Sequence, residues 1–338
     1  MPKTVEDLEQ SRKIRQYLLS EFGLIPESVM TADWSIKTMR SGRTTLMDKR
    51  KTGKNWGTVF SISDSARGTY HSDFPHNICR FCINFYCPKT TDSGYFSNGL
   101  ATVFDPFAGH NSRMEDVFLC GRNYVANDLS HKFMEYNREI AQKLQKQSLP
   151  LGTIPILEVH EGDSRYLDFP ANSFDFAITS PPFWDIEDYG PEPEQLSEQK
   201  TFHDFMYALE KVFRHVHRFL KKDAFFVVEC NDFRRFRIFY PYHYHVIQAL
   251  LIIGFVIHDV IICDYVRSQV SSFTTELDRL KITGKRHSYF IVVRKQEQYI
   301  LELEPVREHR DRIEVQADKE GIQASIITHP EEQIRMVL

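Results

Sequence analysis

Two short motifs decide how this sequence folds: Asp105-Pro106-Phe107-Ala108-Gly109 and Thr179-Ser180-Pro181-Pro182-Phe183. Each follows a short apolar run, residues 101–104 before the first motif and residues 174–178 before the second. Such runs are typical of buried parallel strands. In an open α/β sheet, ligands bind in the crevice beyond the carboxyl ends of the strands. The two motifs are therefore predicted to face one crevice.

From about residue 72 onward, short apolar segments alternate with amphipathic ones, which is the pattern of a sheet built from βαβ units. The predicted strands are residues 101–105, 123–127, 154–160, 174–179, 224–230, 255–263 and 288–294. The predicted helices are residues 5–21, 114–119, 131–147, 202–220 and 242–253. Residues 30–70 are polar and basic and match core structure poorly. The sequence therefore predicts an α/β domain at residues 71–295, between a basic extension (1–70) and a charged tail (296–338).

The composition is that of an ordinary globular protein, with 42% hydrophobic residues, 26% charged residues and a net charge of −4. No apolar stretch is long enough to span a bilayer, and the first residues lack the apolar core of a signal peptide. We therefore expect a cytoplasmic protein with no membrane partner. Because the net charge is negative, any contact with nucleic acid must come from local basic patches.

Five candidate metal ligands lie close together in the sequence: His71, His76, Cys79, Cys82 and Cys87. A tetrahedral zinc site would need a second pair of ligands, and no second Cys-x-x-Cys occurs. Cys79, Ile83 and Tyr86 instead recur at helical spacing. The pattern favours small buried thiols on a packed helix, and no metal site is predicted.

Acidic residues follow three consecutive predicted strands: Asp105, Asp128 and Asp163. Asp128 comes about twenty residues after the glycine turn, where a Rossmann-like site needs a carboxylate for ribose hydroxyl groups. Gly109 allows close approach of the backbone to a ligand, and the next helix offers free N–H groups. Each acid alone could be a helix N-cap, but the set favours a cofactor site. NAD stays open on these residues, although its Gly-x-Gly-x-x-Gly fingerprint is absent.

The order and spacing of these motifs resemble those of the amino-group DNA methyltransferases, which act on cytosine N4 or adenine N6. The resemblance covers about residues 70–295 and is specific chiefly at the two opening motifs. It implies a Rossmann-like methyltransferase fold, α/β with a seven-stranded mixed sheet whose last strand is antiparallel. It also implies the cofactor S-adenosylmethionine. The cofactor-binding residues that it implies are Asp105, Pro106, Phe107, Ala108, Gly109, Asn111 (where the family has a second glycine), Asp128, Asp163, Ser164, Phe74 and Asn77.

The segment Ser180-Pro181-Pro182-Phe183 suits methyl transfer to an exocyclic amine, a poor nucleophile while its lone pair is delocalised into the base. Its two protons can be held by two acceptors, which we assign to the Ser180 side chain and the Pro181 carbonyl. The prolines, Pro182 included, fix the backbone that carries this carbonyl. Phe183 is expected to stack on the base after it has rotated out of the duplex. No Pro-Cys dipeptide occurs, which disfavours cytosine-C5 chemistry.

Serine rather than aspartate at the first position of the catalytic motif favours cytosine N4 as the methylated atom, with adenine N6 as the alternative. The cofactor motif precedes the catalytic motif, an order found in phage and bacterial relatives and also in RNA guanine-N2 methyltransferases. RNA therefore stays an alternative substrate. A nucleic-acid-binding protein on an inactive methyltransferase fold is a further one, which the intact Asp128, Ser180 and Phe183 disfavour.

Double-stranded DNA is the partner that the resemblance implies, and a restriction endonuclease could accompany the enzyme in a restriction-modification pair. The basic patch at residues 37–54, the 234–240 segment and the 265–287 segment are the candidate DNA contacts. The residues expected to contact DNA are Lys49, Arg50, Lys51, Arg234, Arg235, Arg267 and Arg286.

Overall fold

The computed structural model of the protein describes residues 12–17, 26–32, 36–38, 44–46, 74–110, 113–146, 153–186, 189, 191–235, 238–265, 281–283 and 287–296. Its helices are α1 (12–17), α2 (His76–Tyr86), α3 (Met114–Leu119), α4 (His131–Gln145), α5 (Phe202–Phe219) and α6 (Tyr242–Ile253). Its strands are β1 (Val29–Thr31), β2 (Ile36–Thr38), β3 (Thr44–Leu46), β4 (Thr102–Asp105), β5 (Asn123–Asp128), β6 (Leu157–Glu161), β7 (Phe174–Thr179), β8 (Leu220–Cys230), β9 (Phe233–Arg235), β10 (Ile238–Tyr240), β11 (Val256–Asp264) and β12 (His287–Arg294).

One eight-stranded sheet, in the order β1-β11-β12-β8-β7-β4-β5-β6, forms the centre of the described structure. The chain runs outward from β4 to β6 and then returns to β7 on the other side of β4, with Phe104 opposite Ala177. This reversal of strand order is a topological switch point, where open α/β sheets bind ligands. It brings together the two motifs that follow β4 and β7, as the sequence predicts.

The described strands and helices confirm the predicted fold class. Helices α3 and α6 and strand β7 have the predicted bounds, and most other elements differ at their ends by three residues or fewer. Strand β12 is antiparallel to both of its neighbours, β11 and β8, as the resemblance implies. Strand β8 begins at Leu220, four residues early, and its register against β7 shifts near Asp223, which has a φ of 65°.

Two parts of the structure differ from the predictions. Strand β1 adds an eighth strand, parallel to β11, within the segment expected to match core structure poorly, and Met30 and Ala32 are buried there. Three residues are too few to show an alternating pattern, so this strand could not be predicted from apolar periodicity. The 234–240 segment was expected to be a loop, but β9 and β10 pair there as an antiparallel hairpin.

Alternate residues of the central strands enter two apolar layers, one on each face of the sheet. Val103 and Phe176 pack with α2, α3 and α4, whereas their neighbours Phe104 and Ala177 pack with α5 and α6. Helix α2 carries Cys79 and Cys82 fully buried in the first layer, which confirms the prediction of packed thiols. No cluster of three or more His, Cys, Asp or Glu side chains in the described ranges could hold a metal ion. None of the described helices is long and apolar enough to cross a membrane.

A buried ion-pair cluster fastens α2 to α3. The fully buried Asp116 accepts hydrogen bonds from His76 Nδ1 and Arg80 Nε, each at 2.6 Å. Burial alone would lower the pKa of His76, but the charge of Asp116 and its hydrogen bond raise it above its usual value. Burial alone would raise the pKa of Asp116, yet His76 and Arg80 bring it below its usual range. The cluster is therefore an ionised one near neutral pH.

Replacing His76 should produce a pH-dependent loss of stability. Because the folded pKa of His76 is raised, its contribution is complete below about pH 6.5 and disappears as the pH rises through the folded value. The lowered pKa of Asp116 keeps this contribution in place down to about pH 4. His76→Gln should therefore cost about 2 kcal/mol at pH 6 and clearly less at pH 9, measured by denaturant unfolding. The exposed His131, paired with Glu161, provides the control: His131→Gln should show a much smaller difference. A constant loss for His76→Gln from pH 6 to pH 9 would contradict this assignment.

Candidate active site

The turn after β4 forms one wall of the site. Gly109 has a φ of 56°, in the left-handed region that glycine adopts without strain. A Cβ atom at this position would meet no atom within 4 Å, so the turn faces open space. Asn137 on α4 donates to the Gly109 carbonyl at 2.7 Å, and the Ala108 amide donates to Asn127 at 3.0 Å. The turn is therefore held against β5 and α4 with its free side towards the crevice.

The Asp105 carboxylate is fully buried and accepts four hydrogen bonds. The donors are the Phe107 amide (3.1 Å), Arg113 Nε (2.5 Å), the Tyr124 hydroxyl (2.7 Å) and the Thr179 hydroxyl (2.7 Å). Burial and the neighbouring Asp105 raise the pKa of Tyr124, so that its hydroxyl stays a donor. In this structure these donors use the carboxylate and no part of it is exposed, so the contact of Asp105 with the cofactor stays a prediction. Asp105 organises the turn.

Asp128, at the end of β5, binds two backbone amides. Its Oδ2 accepts from Gly109 at 2.9 Å and its Oδ1 accepts from Ser130 at 3.0 Å. Burial raises the pKa of this carboxyl, and the two amide hydrogen bonds oppose the shift. The side chain still reaches the pocket wall, so it both fixes the Gly109 turn and presents an acid to a ligand.

Asp163, after β6, caps the 3₁₀ turn Ser164–Tyr166 and forms a bidentate ion pair with Arg165, with Nη2 to Oδ2 at 2.6 Å. The hydrogen bond to Asp163 raises the pKa of Arg165 further. The same guanidinium donates to the Glu194 carbonyl at 3.0 Å. Arg165 thus joins the third strand end to the segment that follows the catalytic motif, a contact that the sequence reasoning missed.

The catalytic motif leaves β7 and passes directly beneath the pocket. The Ser180 hydroxyl donates to Glu229 Oε2 at 2.6 Å, and Tyr242 donates to the Pro182 carbonyl at 3.3 Å. Phe183 is only 7% exposed, and its ring packs against Phe233 and Tyr242 in the core. Because apolar neighbours surround the ring, Phe183 is not exposed for stacking on a base in this conformation.

These segments line one pocket between the Gly109 turn and the catalytic motif. It is lined by Phe107, Gly109, His110, Arg113, Asp128, Leu129, Phe133, Asp163, Ser164, Ser180, Pro181, Pro182, Tyr189, Gln195 and Leu196. Eight of the predicted site residues are therefore brought together: Phe107, Gly109, Asp128, Asp163, Ser164, Ser180, Pro181 and Pro182.

Other predicted residues lie elsewhere. Pro106 and Ala108 are buried within the turn and do not line the pocket. Phe74 is buried against Phe290, with its ring 5.1 Å from the Arg113 guanidinium, and Asn77 donates to the Thr31 carbonyl. Phe74 thus contacts the pocket-lining Arg113 from behind, and Asn77 contacts β1; neither residue lines the pocket. Asn111, Lys49, Lys51, Arg50, Arg267 and Arg286 lie outside the described residues.

Several site residues were missed by the sequence reasoning, namely Arg113, Arg165, Tyr189 and Glu229. Glu229 carried a usable signal, since it is the one charged residue of the predicted strand 224–230 and lies near its end, at the ligand-binding edge. Arg113 and Tyr189 lie in loops of mixed polarity, where charged and aromatic residues are common and give no such signal.

Sheet order and site together define the class of the protein: a Rossmann-like methyltransferase, with the antiparallel strand β12 and acids after β4, β5 and β6. The comparisons narrow this class. Residues 174–333 match the N6_N4_Mtase family model, described as DNA methylase. Over these residues the chain is similar to this family of DNA methylases.

One curated relative is the Type II methyltransferase M.SfiI of Streptomyces fimbriatus, 33% identical over 82 residues. The match covers 24% of this chain and 19% of that protein, so the chain spans about a fifth of the length of this relative. Two similar solved structures are a SAM-dependent methyltransferase from Methanosarcina mazei and TrmN from Thermus thermophilus. The first is 12% identical with a TM-score of 0.40 and covers 58% of this chain and 93% of that one. The second is 13% identical with a TM-score of 0.41 and covers 67% of this chain and 50% of that one.

The pocket suits S-adenosylmethionine, the cofactor that the family implies. Its walls combine apolar side chains such as Leu129 and Phe133 with two carboxylates, a lining that fits an adenosine carrying a cationic sulfonium. The charge of Arg113 is compensated by Asp105. We expect Asp128 and Asp163, which both line the pocket, to hold the hydroxyl and amino groups of the cofactor.

Removal of the Asp128 carboxylate should loosen the turn and weaken cofactor binding. Asp128→Ala deletes the acceptor of two amides, so we expect a loss of about 2 kcal/mol in unfolding free energy. We also expect at least a roughly tenfold higher Kd for S-adenosylmethionine by calorimetry. Asp168→Ala is the matched control, because Asp168 follows the neighbouring strand β6 but pairs with Arg218 at the surface. Unchanged affinity in Asp128→Ala would remove Asp128 from the cofactor site.

Proposed function

We propose that this protein transfers the methyl group of S-adenosylmethionine to an exocyclic amino group of a flipped base in DNA, and that the methylated atom is cytosine N4. One observation carries the proposal. Ser180, Pro181 and Pro182 line the same pocket as Gly109 and Asp128, so the acceptor groups and the cofactor turn share one space. The family match, to a DNA methylase model, supports DNA as the substrate.

The roles of the chain's own residues follow from the chemistry of an amine. When bound, S-adenosylmethionine supplies an electrophilic methyl group on a positively charged sulfur. The Ser180 hydroxyl oxygen and the Pro181 carbonyl accept hydrogen bonds from the two N–H groups of the amine. These bonds hold the nitrogen in line with that methyl group. Asp128 and the Gly109 turn hold the cofactor side of the pocket. Tyr189 also lines the pocket, and its hydroxyl oxygen accepts a hydrogen bond from the Phe183 amide at 3.0 Å.

Cytosine N4 is favoured over adenine N6 because the first residue of the catalytic motif is a serine. The relative M.SfiI is named a Type II methyltransferase, which supports a role for this chain in DNA modification beside a restriction endonuclease. Adenine N6, guanine N2 of RNA and an inactive nucleic-acid-binding protein are the other outcomes that the experiment below separates.

The hairpin β9–β10 supports a nucleic-acid contact beside the catalytic motif. Arg234 lies over the Phe239 ring at 5.0 Å, and Ile238 and Phe239 are exposed. Arg235 pairs with Asp185, two residues after Phe183, at 2.7 Å. Arginine side chains with exposed apolar neighbours are suited to contacts with phosphate and with bases. We propose that this hairpin contacts the DNA next to the flipped base.

The product identifies the function. Labelled S-adenosylmethionine is incubated with unmodified duplex DNA and, separately, with RNA, and the nucleosides are analysed by mass spectrometry. We expect N4-methylcytosine from DNA; N6-methyladenine would keep the reaction and change the base. N2-methylguanosine from RNA would replace the proposal, and the absence of any product would favour a binding protein. Ser180→Ala is the matched control, which should bind the cofactor with unchanged affinity and lose turnover roughly 100-fold or more.

The basic patch at residues 37–54 should bind DNA phosphates. Lys49→Ala combined with Arg50→Ala should weaken binding about equally for all DNA sequences and lower the slope of log K against log salt by about 2. Fluorescence anisotropy of labelled DNA at salt concentrations from about 50 to about 200 mM measures this slope. Lys211→Ala with Arg214→Ala is the charge-matched control, because these side chains contact Tyr207 and Glu210 of their own helix α5. An unchanged slope in the first variant would exclude this segment from the interface.

A further inference from the structure

The carboxylate of Glu229 lies directly behind the serine of the catalytic motif. Glu229 is the penultimate residue of β8, next to β7 in the sheet, and is only 5% exposed. Its Oε2 is 2.6 Å from Ser180 Oγ, and its Oε1 is 3.2 Å from the Tyr265 hydroxyl. It does not line the pocket, so it can act on a bound base only through Ser180.

The direction of the Ser180–Glu229 hydrogen bond is determined by the two groups. An ionised carboxylate can only accept, whereas a hydroxyl has one proton and two lone pairs. The separation of 2.6 Å is typical of an O–H···O⁻ bond to a charged acceptor. Burial and the nearby Glu229 raise the pKa of Tyr265, so the second neighbour also remains a donor. Ser180 thus commits its only proton to Glu229 and leaves its lone pairs towards the pocket.

A purely structural role does not account for this arrangement. Within the described residues, no Lys, Arg or His side chain lies within ion-pair distance of Glu229, and its recorded partners are neutral hydroxyls. Other buried acids of the described sheet, such as Asp105 and Asp175, are paired with Arg113 and Lys221. A buried carboxylate without a cation lowers stability, and such arrangements persist at functional sites.

We propose that Glu229 is a positioning residue that makes Ser180 a dedicated hydrogen-bond acceptor for the exocyclic amine of the target base. This inference rests on the proposed function. A serine hydroxyl that is free to rotate would present its proton to the amine for part of the time and repel it. Held by Glu229, the hydroxyl offers the amine only lone pairs, as a carbonyl oxygen does, and the two acceptors of the motif act together.

The Glu229→Gln variant tests the direction of the bond because it keeps the shape of the side chain. Its amide can donate to Ser180 Oγ, which frees the serine proton to turn towards the pocket. We expect kcat to fall about 100-fold, with unchanged affinity for S-adenosylmethionine and little change in KM for DNA. Glu229→Asp, which retains the carboxylate, should recover part of kcat.

Asp175→Asn is the matched control, since Asp175 is also a buried acid. It lies near the start of β7, whereas Ser180 follows the end of the same strand. It accepts from Lys221 and from the Thr102 amide, so the variant should lower Tm and leave kcat unchanged. If Glu229→Gln had the kcat of the unaltered protein, or if Asp175→Asn lost as much activity as Glu229→Gln, the positioning role would be overturned.

A double-mutant cycle in thermal unfolding tests the pairing without any substrate. The Tm shifts of Ser180→Ala, Glu229→Gln and the double variant are compared in the absence of ligands. A double shift smaller than the sum supports the coupling, whereas additive shifts overturn it. If the unaltered protein methylates no nucleic acid, the proposed function fails, and the cycle still decides whether Glu229 and Ser180 act as a pair.

Discussion

The site depends on one buried carboxylate. Asp105 lies at the end of β4 and receives hydrogen bonds from β5 through Tyr124, from β7 through Thr179, and from the start of α3 through Arg113. Because a buried charge is costly unless its hydrogen-bonding capacity is used, these donors are held in place by the same carboxylate that they stabilise. The relative positions of three strand ends, and hence of the cofactor turn and the catalytic motif, follow from this arrangement.

Around this centre, the acids at successive strand ends have different tasks. Asp105 is closed off by side chains, Asp128 is held by two backbone amides, and Asp163 is held by Arg165. A common sequence pattern, an acid after an apolar strand, therefore produces a structural anchor in one case and pocket-lining carboxylates in the other two. The difference lies in the partners, which come from distant parts of the chain.

Because these partners come from distant parts of the chain, the sequence could predict the strand ends but not the role of each acid. The strand and helix pattern from β4 to β12, apart from the hairpin β9–β10, was predictable because apolar periodicity is a local property. The placement of Ser180 beside Gly109 was also predictable, since both follow neighbouring strands. The burial of Phe183 and Asp105 was not, because it depends on Phe233, Tyr242 and Arg113, which the fold brings in from other elements. For the same reason, Glu229 became visible as a neighbour of Ser180 only in three dimensions.

Strand β1 has a consequence for where the domain begins. It pairs with β11 at the edge of the sheet and buries Met30, although it precedes the predicted start of the catalytic domain by about forty residues. An unpaired edge strand exposes backbone donors and acceptors that can recruit another chain. A shortened protein that starts at residue 71 would lose this pairing and uncover the backbone of Ile262–Asp264 at the end of β11. The stable catalytic unit therefore includes β1.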